Sequence, residues 1–372
     1  MRFLHTADWH IGKKLHGFDL AAEQWNAYEQ IRQIAIDEHV DAVVIAGDLY
    51  DRAIPNEKSV TLLDDMLIDL NLKHHLPLLA ISGNHDSATR LRTGSTWFKA
   101  TDFYLNTKLS QALTPVEFDD TQFFLLPYFE PFEARQYFQD DQIKTVQAAM
   151  VQLVAAMRAQ FDPNKKHVLV AHFFAAGSTH VDSETQIMVG GLNAIPVSDL
   201  ADFDYVALGH LHGKDALHAE RVRYSGSPLK FSVSEANQQK GVWIVDTDPF
   251  KLTFKPLRPQ RDVRILKGAF GDLTDPAFYQ QQATDDYLAV QLTDQRVIPN
   301  VMQELRAIYP HIIELDRVDG PVTTDTNATI VDPHLDPLEL MTQFFEQTTD
   351  TPLTARQQKW AQAALTAATK ED

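Results

Sequence analysis

The segment at residues 43–48 constrains the fold of this 372-residue chain more than any other feature of its sequence. Four consecutive apolar residues, beginning at Val43, are followed by Gly47 and then by Asp48. A short apolar run that ends in glycine is typical of a buried parallel strand. Such a strand places the Asp48 carboxylate at its C-terminal end, where open α/β sheets bind their ligands.

Other strand-like segments end in polar side chains of the same kind. These side chains are Asp8 and His10 after residues 2–5, Asn84 and His85 after residues 76–81, His172 after residues 167–171, and His210 and His212 after residues 204–208. Because the carboxyl ends of parallel strands meet at one edge of a sheet, these side chains are predicted to converge. A single histidine or aspartate is often only a packed or capping residue, but packing alone does not explain the whole set.

Amphipathic helices alternate with the predicted strands. Residues 19–39 carry apolar side chains at helical spacing, and a second helix is predicted to begin after Pro55 with Asn56 as its N-cap. This alternation implies βαβ units and a parallel sheet. Further predicted elements are a hairpin over 113–118 and 122–126, a helix over 142–161, and strands of a second sheet over 222–228, 241–245 and 252–257.

A change of pattern near residues 256–264 predicts a domain boundary. We expect a main domain over 1–258, a small α+β capping domain over 259–320 and two C-terminal helices over 328–372. The capping domain is predicted from a strand at 287–292, a helix at 299–309 and a strand at 312–318, with a polar linker after it. The apolar faces of the C-terminal helices either pack on the body of the protein or dock on a partner.

Composition limits the environment and the ligands. The chain has no cysteine, so thiolate metal sites and disulfides are excluded, and a metal ion would need oxygen and nitrogen ligands. We see neither a charged and apolar leader nor an apolar run approaching the roughly 18 residues that span a membrane. A cytoplasmic protein without membrane contact is therefore expected.

The net charge of −18 predicts long-range repulsion of polyanions. If the substrate is a nucleic acid, then metal ions, a basic partner or a local basic patch must overcome that repulsion. Residues 87–100 carry Arg90, Arg92 and Lys99 beside two aromatic residues. This stretch either contacts a phosphate backbone or is a solvated helix face whose aromatic side chains pack inward.

Carboxylate and imidazole ligands without sulfur suit Mn²⁺, Fe²⁺ or Zn²⁺, and this mixture favours Mn²⁺. Two divalent ions would outweigh the charges of Asp8 and Asp48 and attract a phosphoryl anion. Two metals about 3.5–4 Å apart can clamp the oxygens of an in-line displacement, so phosphoester hydrolysis is the predicted reaction.

The chain resembles the calcineurin-like metallophosphoesterases. The residues that carry the resemblance are, in order, Asp8-Trp9-His10, Gly47-Asp48-Leu49-Tyr50-Asp51, Gly83-Asn84-His85-Asp86, His172 and Gly209-His210-Leu211-His212. Within that superfamily, the block at 224–228, Glu235 and the Lys240-Gly241 pair resemble the SbcD family of bacterial nuclease subunits, which are relatives of Mre11. The resemblance implies a four-layer αββα sandwich with a small capping domain and C-terminal helices.

The same resemblance implies a role for each site residue. One metal ion would be bound by Asp8, His10, Asp48 and His212, and Asp48 would bridge to a second ion held by Asn84, His172 and His210. His85 is not a ligand in that family and would act on the scissile phosphate or the leaving oxygen. Asp51 stands where archaeal and eukaryotic relatives have histidine, so we expect it to orient a ligand or His85.

The resemblance further implies a Mn²⁺-dependent nuclease with two metal ions. It would act as a 3′→5′ exonuclease on duplex DNA ends and as an endonuclease on single strands and hairpins, in repair and recombination. Its expected assembly is a homodimer in a heterotetramer with an SbcC-type ATPase of the SMC/Rad50 class, on whose coiled coil the C-terminal helices dock. The alternatives are a phosphoesterase acting on a nucleotide or phosphoprotein, which the acidic charge favours, and a non-enzymatic module, against which the complete ligand set argues.

Overall fold

The strands and helices of a computed structural model define the architecture of the chain. The structure describes residues 1–179, 181, 184, 194–294, 296, 298–318, 336–349 and 351–368. The strands are β1 (Arg2–Thr6), β2 (Lys14–Leu15), β3 (Phe18–Asp19), β4 (Ala42–Ile45), β5 (Leu78–Ile81), β6 (Phe103–Asn106), β7 (Val116–Glu117), β8 (Thr121–Leu126), β9 (Lys166–His172), β10 (Tyr205–Gly209), β11 (Val222–Tyr224), β12 (Gly241–Thr247), β13 (Phe250–Pro256), β14 (Val263–Gly268), β15 (Tyr287–Leu292) and β16 (Ile312–Arg317). The helices are α1 (Ala21–Asp37), α2 (Glu57–Ile68), α3 (Ala88–Leu91), α4 (Ser95–Phe98), α5 (Pro131–Phe138), α6 (Val146–Arg158), α7 (Phe270–Leu273), α8 (Pro276–Tyr279), α9 (Val301–Ile308), α10 (Pro337–Thr349) and α11 (Ala355–Ala368).

Two mixed sheets form the body of the molecule. The first has six strands in the order β13-β12-β1-β4-β5-β6, and its last four strands are parallel. The second has five strands in the order β11-β10-β9-β8-β7, of which only β7 is antiparallel to its neighbour. The parallel sheet predicted from the βαβ alternation is therefore confirmed, and the carboxyl ends of β1, β4 and β5 lie side by side.

Apolar residues on both faces of each sheet build the layers. Along β4, Val43 and Ile45 pack with α1 and α2, whereas Val44 packs against the second sheet. This pattern follows from the period of two in a strand that is buried on both faces. Residues of the second sheet such as Phe124 pack in turn against α6 residues such as Leu153. The order helix, sheet, sheet, helix confirms the four-layer sandwich.

Capping side chains set the first residue of two helices. Asn56 caps α2 as predicted, since its side-chain oxygen accepts a hydrogen bond from the Ser59 amide at 2.9 Å. The helix predicted over 142–161 begins later, because the Thr145 hydroxyl accepts from the Ala148 amide at 3.1 Å and caps α6 there. A residue that satisfies an orphan amide thus decides where each helix starts.

The assignment of three strands to a second sheet was wrong for two of them. Strand β11 joins the second sheet, but β12 pairs antiparallel with β1, placing Ile244 opposite Leu4, and β13 pairs with β12. Next to β1, strand β12 buries both of its faces. Ile244 packs in the core that contains α1, whereas Val245 packs in the core between the two sheets.

A small unit with its own apolar core follows the two sheets. Its strands β14, β15 and β16 are parallel, and α9 packs on them through Leu305. Strand β14 was not predicted. Glu23 of α1 attaches the unit to the body, because it accepts hydrogen bonds from Arg261 at 2.6 Å and from Tyr287 at 3.0 Å. The boundaries at 258 and 320 stay predictions, and the linker lies outside the described residues.

The two C-terminal helices predicted within residues 328–372 are present as α10 and α11. Both carry large apolar side chains at the surface: Phe344 is 69% exposed and Trp360 is 60% exposed. Among the helices that the structure describes, none is long and apolar enough to span a bilayer.

Candidate metal centre

Loops that follow five strands meet between the carboxyl edges of the two sheets. Backbone hydrogen bonds of 3.0 Å from the Asp8 amide to the Gly47 carbonyl and from the His10 amide to the Asp48 carbonyl join the loops after β1 and β4. The His210 amide donates to the Asp8 carboxylate at 2.9 Å and so connects the second sheet to the first. Residues that are far apart in sequence are brought together in this way.

The backbone of this region is strained at the predicted ligands. Asp8, His10, Asp48 and His210 have φ angles of 55°, 46°, 51° and 96°. Residues other than glycine seldom adopt positive φ, and those that do concentrate at functional sites.

Two glycines allow the loops to approach each other closely. A Cβ atom on Gly83 would lie 2.1 Å from Asp48 Oδ1, and one on Gly47 would lie 2.4 Å from His172 Nδ1. Neither position accepts a side chain without movement of a predicted ligand. The glycines of the sequence motifs therefore serve packing within the site.

A first cluster consists of Asp8, His10 and His212. Ligand atoms of these three buried residues all lie within 4.8 Å of one another. The Nε2 atoms of His10 and His212 face each other at 3.2 Å, and Asp48 Oδ2 lies 3.5 Å from His10 Nε2. Two imidazole nitrogens in this arrangement can share one proton or bind one cation.

A second cluster lies on the other side of Asp48. Ligand atoms of Asp8, Asp48 and His172 lie within 4.8 Å of one another, and Asp48 Oδ2 is 3.3 Å from His172 Nε2. Asn84 Oδ1 lies 2.9 Å from His172 Nε2 and 3.0 Å from His210 Nδ1. Asp8 belongs to both groups, and Asp48 Oδ2 lies within 3.5 Å of a histidine in each of them.

The donor set fits divalent cations. His172 Nδ1 lies 2.8 Å from the Ala46 carbonyl, so this nitrogen carries a proton. Nε2 lies 3.3 Å from Asp48 and 2.9 Å from Asn84, where it donates a hydrogen bond when the ring is charged and can bind a cation when the ring is neutral. His10 Nδ1 is buried without a hydrogen-bond partner. Converging lone pairs of oxygen and nitrogen in a buried site are the ligands that Mn²⁺, Fe²⁺ and Zn²⁺ use.

Burial and mutual charge shift the pKa values of the cluster in opposite directions. Burial raises the pKa of Asp8 well above its usual value and lowers that of His10, and together with repulsion by His172 it lowers the pKa of His210 to about 3. Burial opposes the charge on His172 as well, but the Asp48 and Asp8 carboxylates and the Ala46 carbonyl together raise its pKa to about 9. Strongly perturbed pKa values in one cluster are typical of functional sites.

His85 lies beside both clusters without being part of the ligand set described above. Its amide donates to Asp48 Oδ1 at 2.9 Å, and its ring lies edge to face with His10 at 4.7 Å between centroids. Its Nδ1 lies 2.8 Å from the backbone carbonyl of Asp51 and therefore carries a proton. In the neutral ring, Nε2 is then the basic nitrogen.

Asp51 contacts the site through its backbone and its side chain. The carbonyl orients His85, whereas one carboxylate oxygen lies 3.1 Å from Lys13 Nζ and 3.8 Å from His10 Nδ1. Ligand atoms of Asp51, His10 and His85 also lie within 4.8 Å of one another, so Asp51 neighbours the first cluster through His10. Asp51 was predicted to orient either His85 or a ligand. Its carbonyl contacts His85 and its carboxylate lies near the predicted ligand His10, and its part in catalysis stays a prediction.

No role was predicted from the sequence for two residues that hold the loops. The Asp86 carboxylate accepts hydrogen bonds from the amides of Leu49, Tyr50 and Gly83, at 2.9 to 3.1 Å, and joins the loops after β4 and β5. Burial, aided by Asp48, raises the pKa of Asp86 to about 6. Gln24 of α1 donates to the His10 carbonyl at 2.7 Å. The signal that could have identified Asp86 is its place as the last residue of the motif at 83–86. Nothing local distinguishes Gln24 from the other polar residues of its helix.

Of the two aromatic residues in the basic stretch at 87–100, one packs inward as predicted and one does not, and contact with a phosphate backbone stays a prediction. Phe98 packs inward and stacks on Phe103 at 5.0 Å, whereas Trp97 is 80% exposed. Arg90 donates to the Ala53 carbonyl at 3.2 Å, which places the stretch beside the loop after β4.

Comparison with known proteins gives two family matches and a curated relative. The calcineurin-like phosphoesterase family matches residues 1–214, and the type 5 capsule protein repressor C-terminal domain family matches residues 259–349. The SbcD subunit of the nuclease SbcCD from Staphylococcus epidermidis is 36% identical over 321 residues, which are 86% of this chain and 86% of that protein.

Solved structures give weaker likenesses. TT1561 of Thermus thermophilus has a TM-score of 0.42 and 15% identity, and the phosphoesterase Yfce of E. coli has a TM-score of 0.29 and 12% identity. Both cover 69% of this chain, and 99% and 98% of their own lengths are aligned. Likenesses at this level support no inference about function.

Proposed function

Since the chain belongs to the SbcD family of calcineurin-like phosphoesterases, we propose that it is a DNA nuclease subunit that hydrolyses phosphodiester bonds with two divalent metal ions. The observation that carries this proposal is the position of the Asp48 carboxylate, 3.5 Å from His10 Nε2 and 3.3 Å from His172 Nε2, between two ligand clusters. One carboxylate that reaches both clusters can bridge two cations.

We assign Asp8, His10 and His212 to one metal ion, and Asn84, His172 and His210 to the other, with Asp48 shared. Mn²⁺ is the proposed metal, because the ligands are carboxylate, amide and imidazole groups and the chain has no cysteine. When bound, the two ions would polarise the phosphoryl group and offset its negative charge.

His85 is the proposed proton donor. The Asp51 carbonyl accepts from Nδ1 at 2.8 Å and fixes the ring, so that in the imidazolium form Nε2 can give its proton to the leaving oxygen and return to the neutral ring described above. The hydrogen bond from its amide to Asp48 at 2.9 Å keeps the residue beside the proposed bridging carboxylate. A positioned histidine of this kind contributes about 10²- to 10⁴-fold to a rate.

The proposed substrate is DNA: duplex ends for 3′→5′ exonuclease action, and single strands and hairpins for endonuclease action. The net charge of −18 opposes DNA binding at long range, so an ATPase partner would supply much of the affinity. Locally, Arg90 contacts the loop after β4 and offers a cation, and Trp97 of the same stretch offers an exposed aromatic surface. Repair and recombination are the processes that such an activity would serve.

The proposed partner is an SbcC-type ATPase of the SMC/Rad50 class, bound by a homodimer of this chain in the cytoplasm. Residues 1–258 would form the nuclease domain, 259–320 the capping domain and 328–372 the docking helices. The exposed Phe344 and Trp360 on α10 and α11 support a docking role for these helices, since exposed apolar faces mark interaction sites.

Truncation after Pro333 tests that docking role. The shortened chain should keep its intrinsic nuclease activity and lose the ATPase partner in a pull-down. A truncated chain that captures the partner with full affinity would rule out docking by these helices.

Degradation of an end-labelled duplex by the purified chain with Mn²⁺ tests the proposed function, with Asp48→Ala as control and a chromogenic phosphodiester alongside. We expect both substrates to be cleaved by the native chain and neither by the variant. Cleavage of the chromogenic diester alone, even after the ATPase partner is added, would favour a phosphoesterase acting on another substrate.

A further inference from the structure

The second ring nitrogen of His212 faces a buried carboxylate. While Nε2 faces His10, the Nδ1 atom lies 3.5 Å from Glu235 Oε1. Glu235 is fully buried, and the same oxygen accepts hydrogen bonds from the Phe231 amide at 3.1 Å and the Ser232 hydroxyl at 3.2 Å. The carboxylate is therefore fixed behind the imidazole.

A buried lysine completes this arrangement. Lys240 Nζ donates to Glu235 Oε2 at 2.5 Å and to the backbone carbonyl of His212 at 2.8 Å. It also lies 2.9 Å from Ser227 Oγ and 2.8 Å from Gln238 Oε1. Burying an ammonium group is unfavourable unless it is paired and fully hydrogen-bonded, and here it is both. The lysine touches the side-chain partner of His212 and the backbone of His212 itself.

In the second cluster, a different kind of group lies behind the histidine. His172 Nδ1 faces the neutral carbonyl of Ala46 at 2.8 Å instead of a carboxylate. A carboxylate partner makes an imidazole more basic and a stronger ligand than a neutral carbonyl does, and partners of this kind fix the ring and its tautomer. The clusters therefore differ in the charge behind one histidine of each, His212 in the first and His172 in the second.

We propose that Glu235 and Lys240 are positioning residues that hold His212 for the first metal ion, and that they give the two metal ions unequal affinities. The inference rests on the proposed two-metal function and deepens it. The first site, with Asp8, His10 and His212, would bind Mn²⁺ more tightly than the second, with Asn84, His172 and His210.

Calorimetric titration of the full chain with Mn²⁺ tests this inference. The native chain should bind two ions with separate affinities. Glu235→Gln should weaken the tighter of the two about 10- to 100-fold and leave the other unchanged. Glu117→Gln is the matched control, because it makes the same change at a carboxylate that pairs with Lys165 at 2.7 Å and lies opposite Gln122, at the amino end of β8. That control should leave both affinities unchanged.

An Asn84→Ala background identifies the site that is weakened. In that background the first site keeps its full ligand set, and Glu235→Gln should still weaken the binding of Mn²⁺ there. A double variant, Glu235→Gln with Lys240→Met, removes both buried charges together and avoids leaving either one unpaired. Circular dichroism of each variant checks that the fold is retained.

Equal weakening of both sites, or full affinity in the folded Glu235→Gln and double variants, would overturn the inference while leaving the proposed function intact. A native chain that binds fewer than two Mn²⁺ ions would overturn the two-metal centre and this inference with it.

Discussion

The body of the molecule and the small unit at β14–β16 use the same kind of parallel strand in different ways. In the body, the strand ends lead to buried ligands, and Asp8, His10 and Asp48 adopt positive φ. In the small unit, strand β15 is followed by Asp294, whose carboxylate accepts a hydrogen bond from the Phe270 amide at 2.6 Å. There a carboxylate after a strand stabilises the start of a helix.

The difference comes from the number of sheets. In the body, loops from two facing sheets meet, so His210 from one sheet reaches Asp8 from the other. The small unit has one three-stranded sheet, and its polar groups after the strands bond to nearby backbone. Among the described residues of that unit, no three metal-ligating side chains come together. Among the described residues, parallel strand ends bring three or more metal-ligating side chains together where two sheets meet.

Removal of the shared carboxylate should have the largest effect on the body. Asp48 lies 3.5 Å from His10 Nε2 and 3.3 Å from His172 Nε2, so Asp48→Ala should lower Mn²⁺-dependent hydrolysis by roughly 10³-fold or more. The measurement is the initial rate on a chromogenic phosphodiester. A rate within tenfold of the native rate would show that Asp48 is not the bridging group.

Substitution of the proposed proton donor should separate binding from turnover. His85→Gln should lower kcat by about 10²- to 10⁴-fold while Mn²⁺ stoichiometry stays the same. Rates and calorimetric titration on the same preparation give both values. If the variant binds no metal, His85 belongs to the ligand set after all.

A matched pair of glycine substitutions compares the two regions directly. A Cβ on Gly83 would lie 2.1 Å from Asp48 Oδ1, so Gly83→Ala should destabilise the body by about 1–3 kcal/mol and weaken Mn²⁺ binding. A Cβ on Gly271, in α7 of the small unit, meets nothing within 4 Å, so Gly271→Ala should leave metal binding unchanged and stabilise by up to about 1 kcal/mol. Calorimetric melting with metal titration measures both, and equal effects would contradict the comparison.

The smallest effect is expected at the corresponding carboxylate of the small unit. Asp294→Ala removes the acceptor of the Phe270 amide and should destabilise this unit by about 1 kcal/mol. Hydrogen exchange along β14–β16 should rise, while Mn²⁺ binding and hydrolysis stay at native values. A change in hydrolysis would mean that the small unit acts on the metal centre.

Much of the fold was predictable because its signals are local. The strand and the carboxylate at Asp48, the cap at Asn56 and the alternation of strands with helices are patterns within a few residues of sequence. Strand β14 was missed, and β12 and β13 were assigned to the wrong sheet. For β12 and β13, the choice of sheet depends on the partner strand, and β12 pairs with β1 some 240 residues away, Leu4 lying opposite Ile244.

For the site, the sequence by itself determined which residue types stand at the strand ends, and hence the expected ligand set and reaction. Only the tertiary structure decided what each of those residues contacts. In the folded chain, Asp48 lies near a histidine of each cluster, and the Asp51 carbonyl contacts His85 Nδ1. Glu235, which is paired with Lys240, lies beside Nδ1 of His212. The physical reason is range: periodicity and capping act over a few residues, whereas these contacts form only after two sheets have packed face to face.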